Sequence, residues 1–139
     1  MNKFFNNFLL KYLLLVAIFI FFIPLNSWSQ STYVPDDNFE NYLEANGMGD
    51  GIALNDYVTT SNISSVTYLN VYQQGISDLT GISAFTALQD LRCVYNSLTS
   101  LNITQNSQLT RLICSYNAIS SLNVSNNTSL TDLQCEQNN

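Results

Sequence analysis

From residue 66 onward the apolar positions recur with a fixed period. Leu88, Leu109 and Leu130 follow one another at intervals of 21 residues. Each brings the same companions. One unit reads Leu88-x-x-Leu91-x-Cys93-x-x-Asn96-x-Leu98-x-x-Leu101-x-Ile103, and the next reads Leu109-x-x-Leu112-x-Cys114-x-x-Asn117-x-Ile119-x-x-Leu122-x-Val124. Leu130-x-x-Leu133-x-Cys135-x-x-Asn138 opens another. A looser copy, Val66-x-x-Leu69-x-Val71-x-x-Gln74-x-Ile76-x-x-Leu79, begins 22 residues before Leu88, which places one inserted residue within 81–87. Leu91 and Cys93 alternate with Arg92 and Val94, so each unit predicts a short strand with one apolar face. A single unit cannot bury that face. Copies stacked about 4.8 Å apart can, through one continuous interior. Leu98, Leu101 and Ile103 close the coil from the other side. So short a unit leaves few residues for the return path. The Asn-, Ser- and Thr-rich stretch 120–129 has poor helix propensity, so extended or 3₁₀ segments are expected there. Asn96, Asn117 and Asn138 each follow a strand, where the turning backbone loses its ladder partners and an amide side chain can replace them. Gln74 takes this place in the first unit and predicts a looser turn.

The units resemble leucine-rich repeats, L-x-x-L-x-[L/C]-x-x-N-x-L. Ile76-Ser-Asp-Leu-Thr-Gly-Ile82 is similar to internalin-like repeats. The Leu-x-Cys-x-x-Asn form, with Leu122-Asn-Val-Ser-Asn-Asn-Thr-Ser-Leu130 between units, resembles secreted bacterial repeat proteins exported by type IX secretion. The opening Val34-Pro-Asp-Asp-Asn-Phe-Glu40 is similar to that group as well. The resemblance spans roughly residues 33–139. It implies a leucine-rich repeat solenoid of parallel β-strands with an N-terminal helical cap. In such proteins further repeats and a sorting domain commonly follow. The last unit stops directly after its turn Asn, with no return segment, so a fragment of a longer chain is expected.

An open stack needs a cover for its first coil. Residues 35–45 supply one. Asp37 with Glu40 three residues on reads as a variant capping box, and Phe39, Tyr42 and Leu43 share a helical face. Asn46-Gly47 ends the helix. The loop Met48-Gly-Asp-Gly-Ile-Ala-Leu-Asn-Asp56 offers Asp50, Asn55 and Asp56. It lacks the alternating ligands and terminal Glu of a calcium loop and is read as a solvated turn. Val58 to Ile63 then feeds the first repeat. The domain plan is therefore a leader over 1–29, a cap over 30–65 and repeats over 66–139.

The leader carries Lys3 and Lys11, then eleven apolar residues from Leu13 to Ile23, then Pro24 and Ser27-Trp28-Ser29. This is the layout of a secretory signal peptide cut near Ser29/Gln30. A spanning helix needs about 20 apolar residues, so no membrane insertion is expected after cleavage. The expected location is secreted or cell-surface. From Gln30 onward only Arg92 and Arg111 are basic against ten Asp and Glu, a net charge of −8. Such a chain neutralises few phosphates, which argues against nucleic acid and anionic lipid as partners.

The absence of His removes the commonest general base and metal ligand. Cys93, Cys114 and Cys135 occupy the same inward place in successive coils, where the first unit has Val71. Their side chains run parallel, the wrong orientation for a disulfide. Their spread also prevents convergence on one zinc ion. They read as buried, unreactive thiols, with no metal and no cofactor.

Solvent-facing strand positions stack as well. The rows are Tyr68, Asp90, Arg111, Asp132; then Asn70, Arg92, Ile113, Gln134; then Tyr72, Val94, Ser115, Glu136; then Gln73, Tyr95, Tyr116, Gln137. The first row predicts cross-strand Asp–Arg pairs. Tyr72, Tyr95 and Tyr116 with Arg92 form an aromatic-and-guanidinium patch of the types enriched in binding hot spots, beside Arg111. The expected role is a non-catalytic recognition module for a protein or surface glycan, as in an adhesin. The rival readings are a spacer carrying a downstream domain and the non-catalytic part of a secreted enzyme.

Overall fold

The computed structural model describes residues 30–139; the expected leader over 1–29 lies outside them. Four three-residue strands, β3 (Tyr68–Asn70), β4 (Asp90–Arg92), β5 (Arg111–Ile113) and β6 (Asp132–Gln134), form one parallel sheet in sequence order. Leu69, Leu91, Leu112 and Leu133 lie in register across it. The period of the sequence thus becomes the register of the sheet. Backbone pairing runs on past the strands: Cys93 N–H donates to Ile113 O at 2.9 Å and Cys114 N–H to Gln134 O at 2.8 Å.

Return segments are turns and extended chain, with a single 3₁₀ turn at Ile82–Ala84. This matches the expectation from the short repeat. Asn106 Nδ2 donates to Ile82 O and Phe85 O, and Asn127 Nδ2 donates to Ile103 O and Asn106 O. Ile82 is therefore the counterpart of Ile103. The extra residue of the first unit falls at Thr80-Gly81, at the near edge of the expected stretch.

The turn asparagines work between coils. Asn96 Oδ1 accepts from Gln74 N–H and Ile76 N–H of the coil before, while its Nδ2 donates to Val71 O and Cys93 O. Asn117 accepts from Leu98 N–H and donates to Cys93 O and Cys114 O. Asn138 repeats the pattern on Ile119 N–H, Cys114 O and Cys135 O. Each amide fills groups of two consecutive turns, which are costly to leave bare when buried. Gln74, by contrast, bonds back to Tyr72 O. The first turn borrows Asn96 from the next coil.

The cap is more than a helix. β1 (Ser31–Tyr33) pairs antiparallel with β2 (Tyr57–Thr59), and a one-turn helix, Thr60–Ile63, leads into the first coil. The cap helix spans Asp37–Ala45. Its N-cap is Asp36, whose Oδ1 accepts from Asn38 N–H and Phe39 N–H. The expected box on Asp37 does not form, because Glu40 is buried and turns to the loop instead. Its two oxygens accept from Asn55 N–H at 2.9 Å and Asp56 N–H at 3.0 Å. Glu44 likewise accepts from Asp50 N–H and Gly51 N–H. Two helix carboxylates thus shape the loop 48–56, where the sequence alone suggested only a solvated turn.

Phe39 and Leu43 are buried, and the Phe39 ring lies 6.3 Å from that of Phe85 in the first coil. Asp36 Oδ2 accepts from Ser77 N–H, Ser77 Oγ–H and Asp78 N–H. Asn38 Nδ2 donates to Gly75 O. Gly81 has φ +102°, and a Cβ there would stand 2.8 Å from Val34 Cγ2 and 2.9 Å from Tyr33 O. Glycine is required at this close approach of cap and coil.

Candidate recognition surface

The outer side of the parallel sheet gathers the aromatic residues of the repeats. Tyr72, Tyr95 and Tyr116 form one continuous cluster. The Tyr95 and Tyr116 rings stack with centroids 4.3 Å apart and planes at 14°. Tyr72 meets Tyr95 edge-on at 5.6 Å and 77°. All three stay about half exposed, at 46–47%. The backbone explains the placement of Tyr95 and Tyr116. Gln73, Tyr95, Tyr116 and Gln137 all hold φ of +54° to +57°. That left-handed step re-aims the chain after each strand and throws one side chain per coil to the outside. Such a conformation costs a non-glycine residue about 1–2 kcal/mol, and an aromatic contact returns about 0.5–1.5 kcal/mol.

Arg92 is placed differently from expectation. Its guanidinium does not join the three tyrosines but lies 5.1 Å from the ring centre of Tyr68. It also donates from Nε and Nη2 to Asp90, at 3.1 and 2.8 Å. Asp90 therefore pairs along its own strand, two residues away, and not across to Arg111. The other half of the expected row does form: Arg111 Nε lies 3.0 Å from Asp132 Oδ2. Both basic residues of the described chain are thus neutralised on this face. Pairs this exposed contribute little stability, and their consequence is a surface with no free cation among the described residues.

Tyr68 is the member that sequence reasoning left aside. It is 49% exposed, stands on β3 and lies under the Arg92 guanidinium. Its register with Asp90 and diagonal relation to Arg92 were readable from the rows. Ser115 Oγ–H donates to Glu136 Oε2 at 2.6 Å, and this bond holds the Glu136 carboxyl below its ordinary range.

The thiols line the interior as expected, with one correction. Cys93 and Cys114 are buried, and desolvation pushes Cys114 up to about 11 and Cys93 higher still. Cys135 is exposed, because the outer side of β6 has no neighbouring strand among the described residues. All three are free. In the cap, the Asp37, Glu40 and Asp56 carboxylates come within 4.8 Å of one another. Glu40 there is committed to backbone N–H groups of the loop. No helix of the described residues is long and apolar enough to cross a membrane.

No protein-family model matches the chain. Over 79 residues, 57% of this chain, it is 34% identical to internalin J of Listeria monocytogenes, of which it spans 8%. The solved functional domain of internalin J superposes with a TM-score of 0.69 and 32% identity, over 79% of this chain and 25% of that one. That domain includes a cysteine ladder. An internalin of the same species, InlF, gives a TM-score of 0.69 at 25% identity, over 77% of this chain and 32% of its own. Internalin C2, at 20% identity and TM-score 0.62, shares the fold. The present chain thus spans a small part of the relatives it matches. Repeat period, parallel register and these likenesses agree: the chain is a leucine-rich repeat solenoid similar to the internalins.

Proposed function

We propose that this chain is a binding module of a secreted or cell-surface bacterial protein, and that it recognises a protein partner through the strand face. The observation that carries this reading is the contiguous Tyr72–Tyr95–Tyr116 cluster, with Tyr68 exposed on the same sheet. Tyr68, Tyr72, Tyr95 and Tyr116 each remain near half exposed on a surface whose two arginines are already paired. Tyrosine provides large contact area at low entropic cost, with a hydroxyl for specificity. Arg92 and Arg111 sit at its border and contribute planar donors once a partner competes for their carboxylates. Tyr95 and Tyr116 spend one ring face on each other. Sugar stacking uses free ring faces, so a protein surface fits better than a glycan. A binding role also fits the chemistry: the chain has no His, and its interior thiols are held protonated. Export rests on the leader pattern of residues 1–29, and the type IX route on the resemblance of the repeats.

The test compares the parent with a Tyr72→Ser, Tyr95→Ser, Tyr116→Ser variant on arrays of purified extracellular proteins and on glycan arrays. Circular dichroism confirms that the fold is retained. We expect a protein ligand bound by the parent and weakened by the variant at least about 100-fold, since hot-spot truncations each cost about 2 kcal/mol or more. Equal binding by both chains favours a spacer. Retention on glycans alone replaces the protein partner with a carbohydrate.

A further inference from the structure

Tyr95 and Tyr116 stand at the same place in consecutive coils and are held there rigidly. Tyr95 N–H donates to Ser115 O and Tyr116 N–H to Glu136 O, and Asn96 and Asn117 lock the turn directly after each ring. Both residues have the same left-handed backbone, at φ 56° and 57°, so their rings leave the chain in the same sense. The planes stack within 14° at 4.3 Å, and the neighbouring Tyr116 phenol pushes the Tyr95 phenol up. Stacking lays the carbons of one phenol ring over those of the other while both rings stay open to solvent. Among the described residues two other tyrosine pairs lie close by distance alone. Tyr33–Tyr57 is tilted at 52° and 5.5 Å, and Tyr72–Tyr95 is edge-on at 77° and 5.6 Å. Neither lays one ring over the other.

We propose that the Tyr95–Tyr116 pair is an oxidative modification site, at which a haem peroxidase using hydrogen peroxide forms a dityrosine staple between consecutive coils. Each phenol gives up one electron and one proton, leaving two adjacent phenoxyl radicals. A carbon–carbon bond forms between the ring carbons ortho to the two oxygens. Each of those carbons then loses its hydrogen as a proton while the oxygen regains one, and both rings become aromatic again. In sum, two hydrogens leave the pair and one peroxide becomes two waters. Pre-alignment turns an encounter of two radicals into an intramolecular step. The product closes a covalent loop over one repeat and joins two rungs of the outer strip. This chemistry does not depend on whether the strip also binds a partner.

The experiment treats the dilute native chain, its Cys135 alkylated beforehand, with a haem peroxidase and hydrogen peroxide. Dityrosine fluorescence and peptide mapping by mass spectrometry are the readouts. We expect a monomeric product in which the Tyr95–Tyr116 linkage exceeds either other pair by about tenfold. Tyr95→Phe and Tyr116→Phe abolish that linkage, Tyr57→Phe leaves it intact, and unfolding in urea erases the preference. The cross-linked chain also unfolds at a higher temperature than the untreated one. Linkages spread evenly over the pairs, links only between molecules, or no dityrosine in the native chain overturn the proposal.

Discussion

Asp36 joins two parts of the molecule through one carboxyl group. One oxygen caps the helix, and the other receives Ser77 and Asp78 of the first coil. Partial burial acts to raise its pKa, but the bonds from Ser77, Phe39 and Asp78 outweigh it and hold the carboxyl below its usual value. A depressed folded-state pKa stabilises the fold above the unfolded value and fades as pH falls through the folded one. Asp36→Ala is therefore expected to cost roughly 1–2 kcal/mol at neutral pH. It should also flatten the acid limb of the stability curve below about pH 4, as measured by urea unfolding across pH. An unchanged acid limb would assign that limb to other carboxylates. Sequence reasoning found the right kind of cap one residue late. Asp36 and Asp37 are chemically alike, and only the route of the chain from Pro35 decides which carboxylate faces the helix. The pairing of Arg92 was hidden for a related reason. Asp90 has an in-register partner in Arg111 and a same-strand partner two residues on, and both are Arg.

At the scale of elements, the repeating strands were legible and the cap strands were not. A 21-residue period states the register of β4 to β6 outright, and across the 22-residue step from β3 each rung still carries Leu, then Cys or Val. β1 and β2 are three residues each and lie on either side of the cap helix. So short a run shows no alternation, and their pairing is a long-range contact without a pattern. Gly81 marks where this strand pair meets the first coil. Val34 and Tyr33 occupy the space a Cβ would need, and its φ lies in the left-handed region. Gly81→Ala is expected to destabilise the protein by more than about 1 kcal/mol, since both the backbone and the contact oppose a Cβ. The loss should appear in hydrogen exchange first at residues 31–34, as the β1–β2 pair lifts from the solenoid. A variant as stable as the parent would mean that cap and coil do not touch there.

Over the described residues the repeats form a one-dimensional stack. Each coil is stable because its neighbours cover its apolar side, and the asparagine amides tie every turn to the one before. The interior was readable from the period, because identical spacing forces identical side chains into adjacent rungs. The strip of tyrosines was readable as rows, but its internal geometry was not. Ring stacking depends on the left-handed step at Tyr95 and Tyr116, which no residue type there announces. The likeness to internalins fixes the architecture and leaves the partner to experiment.

Stacking makes a distinct statement about the three chemically identical thiols. Cys93 and Cys114 lie between rungs and are sealed, whereas Cys135 lies on the outermost one. Under native conditions a maleimide reagent should modify one of the three thiols quickly, at Cys135, and reach Cys93 and Cys114 only after denaturation. Rapid modification of all three in the native protein would contradict a shared interior built by coils in register.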